Sequence, residues 1–119
     1  MTDEQCTLIE LQEQVKRFNT EREWAQFHNP RNLAMALSVE ASELLELFLW
    51  SRDDGPQPPV VTRTPEVAHE MADVLICLLS LAERVEIDLA SAVRAKLALN
   101  AVKYPVEKAR GRMEKSDEL

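Results

Sequence analysis

The chain has 119 residues, 45% of them apolar and 29% charged, which is the balance of one folded domain and not of a disordered segment. Acids outnumber bases 21 to 14, and the net charge of −7 argues against a polynucleotide or an anionic membrane surface as partner, because phosphate backbones are bound through clustered Lys and Arg. With only 2 glycines and 5% aromatics, the chain lacks the turn formers of a long all-β domain.

The first helix is expected over residues 5–26. Thr7-x-x-Glu10 can form a capping box, and Leu8, Leu11, Val15 and Phe18 repeat at helical spacing. Asn29 followed by Pro30 supplies an N-cap and a first-turn proline for a second helix over 30–52. Thr64 and Pro65 repeat that device for a third helix over 65–86. Asp88 can cap a fourth over 88–104, which Pro105 ends. The stretch 51–64 holds Pro56, Pro58 and Pro59 and reads as the one long linker. The predicted class is all-α: a four-helix bundle-like domain over 1–105 and a charged tail, 106–119, expected to fray.

Cys6 and Cys77 belong to no Cys/His cluster, so neither zinc nor a disulfide framework is indicated. No basic stretch leading into an apolar run marks a secretory signal. The longest apolar run, 74–82, is far shorter than the roughly 20 residues of a membrane helix. The expectation is a cytoplasmic protein without a membrane partner. From 71 to 82 the only charged residue is Asp73, and a helix apolar on nearly every side must be surrounded. A homo-oligomer is therefore expected, a homodimer or a dimer of dimers.

A weak repeat at an offset of 30 residues relates Glu40-x-x-Glu43 to Glu70-x-x-Asp73, each pair followed by an apolar run. Residues three apart share a helix face, so each pair presents two carboxylates side by side. Leu33, Ala36, Leu44 and Leu47 share the first face, and Val67, Val74, Cys77 and Leu81 the second. Four acids pointing into apolar stripes require protons or cations to compensate them. With no histidine at ligand spacing, an all-oxygen set suits Mg²⁺, or Mn²⁺. Glu46 lies about 120° from Glu40 on the helical wheel, outside this set, and His69 is read as structural.

On the fourth helix Lys96, Asn100 and Lys103 follow at i, i+4 and i+7, a stripe that could meet phosphate oxygens or simply complement a helix C-terminus. Trp24 and Trp50, near the ends of the first two helices, could stack on a nucleobase or pack as ordinary core.

The acidic pairs on successive helices resemble the MazG-like, all-α nucleoside triphosphate pyrophosphohydrolases. Arg22-Glu-Trp24-Ala-Gln-Phe27-His28-Asn-Pro30-Arg31-Asn32 and Glu40-Ala-Ser-Glu43-Leu-Leu-Glu-Leu-Phe48-Leu-Trp50 look like its dCTP pyrophosphatase-like branch, and Lys96-x-x-x-Asn100-x-x-Lys103-Tyr104-Pro105 extends the match. The resemblance implies a MazG-type fold and Mg²⁺-dependent hydrolysis of dCTP or a related dNTP to the monophosphate and pyrophosphate, in nucleotide pool sanitation or balance. It implies Glu40, Glu43, Glu70 and Asp73 as metal ligands and catalytic residues. It further implies a base pocket from Trp24, Phe27, His28 and Trp50, with Lys96, Asn100, Lys103 and Tyr104 also on the substrate. Val15 stands where the eukaryotic members have a histidine, and Cys77 where they have a tyrosine. The rival readings are a non-catalytic, metal-stabilised helical dimerisation or binding module, and a pyrophosphohydrolase of another metabolite such as phosphoribosyl-ATP.

Overall fold

The computed structural model describes residues 1–50 and 64–119, and these are helical, with no strand among them. The predicted linker, apart from Thr64, lies outside the described residues. Helix α1 spans Leu8–Glu21, α2 Pro30–Glu46, α3 Thr64–Val85, α4 Leu89–Lys103 and the one-turn α5 Val106–Ala109. The chain divides into two compact units, Met1–Glu86 and Ile87–Leu119.

Three helix starts follow local chemistry. Thr7 accepts from the Glu10 N–H at 3.2 Å while Glu10 accepts from the Thr7 N–H at 3.1 Å, closing the capping box. Asn29 accepts from the Asn32 N–H at 2.8 Å. Asp88 accepts from the Ser91 N–H at 2.9 Å, and its bonds with Ser91 hold its carboxyl below the usual aspartate range. Thr64 is the first residue of α3 itself, so it is not the cap expected of it, and the position before it lies outside the described residues.

Two helices end sooner than their periodicity suggests. On an unbroken helix Trp24, six residues beyond Phe18, would stand about 120° away from it. Instead Glu23 takes a left-handed conformation at φ 55°, which costs about 1 kcal/mol for a residue with a Cβ. The 3-10 turn Trp24–Phe27 follows, and the Trp24 ring meets Phe18 edge-on at 5.7 Å. Arg22 closes the other side, its guanidinium 3.6 Å from the Phe18 ring centre and donating to the Phe18 carbonyl at 3.1 Å. Helix α2 stops at Glu46 because the next bonds tighten to i→i−3, from Phe48 N–H to the Leu45 carbonyl and from Leu49 N–H to that of Glu46. Trp50 then turns left-handed at φ 62°. The tail does not fray throughout: α5 and a 3-10 turn, Ser116–Glu118, form within it.

Within the first unit, α2 and α3 pack most extensively against each other, and α1 lies on α3. The contact of α1 with α3 is partly polar. Gln12 donates to the Leu79 carbonyl at 3.3 Å, Asn19 donates to the Ser80 hydroxyl at 3.1 Å, and Lys16 pairs with Glu83 at 2.9 Å. These residues follow at i, i+4 and i+7 on α1, a polar seam beside the apolar stripe. Leu33, Leu79 and Ala82 are the buried apolar residues among those described, Leu79 fully so.

Truncating Leu79, which is 1% exposed, should cost about 3 kcal/mol through lost burial and a residual cavity, and Thr7→Ala about 1 kcal/mol through loss of the cap. Urea titrations of both variants check this; equal losses would place the core elsewhere.

Candidate active site

The packing of α2 on α3 brings three carboxylates together. Glu40, Glu43 and Glu70 each offer an oxygen within 4.8 Å of the others, a group with the dimensions of a cation site. Glu40 and Glu70 are half-buried, Glu43 is exposed, and one oxygen of Glu40 and one of Glu70 are buried without a hydrogen-bond partner. Burial first, then the neighbouring Glu43, and then Asp73 and Glu70 push the Glu40 carboxyl above the usual glutamate range. Glu70 is raised in the same way, by burial, then by the charges of Glu43 and Asp73. Glu46, set aside by the helical wheel, is also near enough to act on Glu70, as the weakest contribution. Asp73 lies outside the group of three, and its side borders the adjoining cleft.

This geometry fits a hard divalent cation. Two buried, unpartnered carboxylate oxygens are costly, and a cation bound among the three converging carboxylates would offset that cost. The donor set is all oxygen, as Mg²⁺ and Mn²⁺ prefer.

Beside the acids runs a cleft of about 500 Å³. Glu40 and Asp73 border it, as do the Phe18, Trp24 and His28 rings and the Cys77 thiol. The Trp24 and His28 rings meet edge-to-face at 6.5 Å. Their position rests on the αL break at Glu23 and on Asn32, whose amide donates to the Phe27 carbonyl at 3.1 Å. Burial, followed by the charges of Glu40 and Asp73, pushes the Cys77 thiol up, so it stays protonated at neutral pH. A second cavity of about 280 Å³ lies between α1 and α3, and Asn19, His28 and Ser80 line both. Val15 borders this second cavity and Cys77 the larger one.

Two of the expected aromatics are largely exposed. Phe27 is 61% exposed and Trp50 97% exposed, and neither lines these cavities. His69 is exposed on α3. Lys96, Asn100, Lys103 and Tyr104 belong to the second unit, where the Tyr104 N–H donates to the Asn100 carbonyl at 2.7 Å and the Lys103 ammonium lies 6.0 Å from the Tyr104 ring. Sequence reasoning passed over Asn19, Ile76 and Ser80 and gave Asn32 no role, and all four border the cleft. The available signal was Ser80, the one hydroxyl within the apolar run 74–82.

Because the Glu70 carboxyl is raised, the native chain holds more protons than the unfolded chain between the ordinary glutamate range and the raised value. Stability therefore falls as pH rises through that window. Glu70→Gln removes this loss. In EDTA the variant should melt with the wild type at pH 4 and above it at pH 8, and saturating Mg²⁺ should close or invert the gap. Identical melting at pH 8 in EDTA would show that the acids do not repel one another.

Comparison with known proteins gives the architecture its relatives. The MazG-like family matches residues 35–119. Human dCTP pyrophosphatase 1 is 42% identical over 115 residues, covering 95% of this chain and 68% of that protein. The bovine dCTP pyrophosphatase 1 is 42% identical over 107 residues, 88% of this chain, and the chain spans 63% of that relative's length. The crystal structure of a pyrophosphatase from Archaeoglobus fulgidus superimposes with a TM-score of 0.77 at 41% identity, over 82% of this chain and 92% of that one. The chain belongs to the MazG-like family.

Proposed function

We propose that the chain is a divalent-cation-dependent pyrophosphohydrolase that cleaves dCTP or a related deoxynucleoside triphosphate to the monophosphate and pyrophosphate. The observation that carries this reading is a carboxylate group with two buried, unpartnered oxygens at the edge of an aromatic-lined cleft. The names of the bovine and human relatives supply the nucleotide.

On this reading Glu40, Glu43 and Glu70, joined by Asp73, would hold Mg²⁺ or Mn²⁺. Such a cation supplies charge neutralisation on the triphosphate and Lewis-acid activation of water. Glu40 and Glu70 each keep a buried oxygen for the cation. Glu43, exposed, has an oxygen open to orient an attacking water at the mouth of the site. Trp24 and His28 offer ring faces and edges to the base, and Phe18 helps exclude water from that wall. Cys77, held protonated, contributes bulk and not a thiolate nucleophile. Lys96 and Lys103 are proposed on charge alone as phosphate contacts.

The same reading includes self-association into a homodimer or a dimer of dimers in the cytoplasm. Helices α2 and α3 leave Met35, Val39, Leu45, Met71 and Leu75 more than a third exposed, an apolar surface that a second copy would cover. Among the described residues no helix is long and apolar enough to cross a membrane.

Incubation with Mg²⁺ and each of the four dNTPs, followed by assay of pyrophosphate and monophosphate, tests the reaction. Release of both from dCTP is expected, and Ala at Glu40, Glu43, Glu70 or Asp73 should lower the rate by at least about 100-fold. A protein that releases pyrophosphate from none of them is not this enzyme. Light scattering at micromolar concentration should give the mass of two or four chains; the mass of one chain, 13.6 kDa, would contradict the oligomer.

A further inference from the structure

The acids occupy one end of the α2–α3 groove, and a second polar feature occupies the other. On α3, Asp73, Cys77 and Ser80 follow at i, i+4 and i+7 and all border the cleft. Ser80 thus stands about 10 Å along the helix axis from Asp73, the length scale of a nucleoside. Across from it, α1 contributes Asn19, whose Nδ2 donates to Ser80 Oγ at 3.1 Å, and His28 borders the same wall. Ser80 is 7% exposed, in a stretch otherwise apolar from 74 to 82. A buried hydroxyl there needs a reason beyond packing, since Ala or Val would cost nothing in desolvation.

Resting on the pyrophosphohydrolase reading above, we infer that Asn19, oriented by Ser80, is a specificity-determining residue that contacts the hydrogen-bonding edge of the base and selects an amino group over a keto oxygen. Ser80 Oγ is the acceptor in the bond from Asn19. The Asn19 amide then turns its nitrogen to Ser80 and its oxygen away. Among the described residues Asn19 Oδ1 has no hydrogen-bond partner, and Asn19 lines both cavities, so that oxygen is available to a ligand. An exocyclic amine, such as N4 of cytosine, donates to it. The O4 of uracil or thymine in the same place sets two acceptor oxygens against each other, which a site built for hydrogen bonding penalises strongly. With phosphates at the carboxylate end, the base reaches this polar pair with Trp24 and His28 beside it. Asn19 contacts the base, and Ser80 is the positioning residue that keeps its amide from rotating.

The test compares dCTP with dUTP, which differ at position 4 of the base and in the hydrogen that N3 carries with it, in wild type, Asn19→Leu and Ser80→Ala. The wild type should favour dCTP, and each variant should lower the dCTP-to-dUTP ratio of kcat/KM by about tenfold or more, mainly through a higher KM for dCTP. A merely structural role would slow both substrates alike and leave the ratio in place. If Asn19→Leu does not fold, as judged by circular dichroism, Asn19→Ala reads the same ratio. A wild type that turns over both nucleotides without preferring dCTP, or a ratio unmoved in both variants, overturns this assignment while leaving the hydrolase reading intact. A wild type that hydrolyses neither of these nor any other dNTP overturns both.

Discussion

The structure depends on like charges held in one place by helix packing. Glu40 and Glu70 sit where α2 meets α3, with one oxygen of each buried and unpartnered, and Glu43 lies close to both. Burial and mutual repulsion raise the carboxyls of Glu40 and Glu70, so the metal-free fold carries an electrostatic cost that an apolar interface would avoid. Such a cost is retained where a ligand repays it, and a divalent cation is the ligand whose chemistry fits three converging carboxylates. The polar seam of α1 on α3 sets the position of α1, which carries Phe18 and Asn19 to the cleft, through specific hydrogen bonds at Leu79 and Ser80.

A second strained feature builds the wall of the cleft. Glu23 adopts a left-handed backbone without glycine, and the return is the placement of Trp24 against Phe18 and beside His28. Continuing α1 would have carried the tryptophan to another face. Asn29 and Asn32 then secure the turn from below, one as the cap of α2 and the other on the Phe27 carbonyl. Acids and aromatics thus come from different helices and meet in one cleft.

The parts of this arrangement that were legible in the sequence are those set by local chemistry. Thr7, Asn29 and Asp88 cap helices because their side chains reach backbone N–H groups three residues on, and spacing alone reveals that. The acidic pairs stood out because they interrupt apolar stripes at helical spacing. The break at Glu23 was not legible: no glycine or proline marks it, and it follows from aromatic packing that a linear reading does not contain. The Asn19–Ser80 bond joins positions 61 residues apart and becomes visible only once α1 is laid on α3. Trp50 and the Lys96, Asn100, Lys103 and Tyr104 stripe carry clear chemistry in the sequence, yet Trp50 stands exposed and the stripe belongs to the other unit.

The central claim is that the three glutamates are a cation site. Diffraction from crystals soaked in Mn²⁺, collected to record its anomalous scattering, tests it most directly. The account predicts a peak bounded by Glu40, Glu43 and Glu70, within bonding distance of the two buried oxygens, and its loss in Glu40→Gln. An ordered site with no peak there at saturating Mn²⁺, or with those oxygens taken up by Lys or Arg side chains, would contradict it.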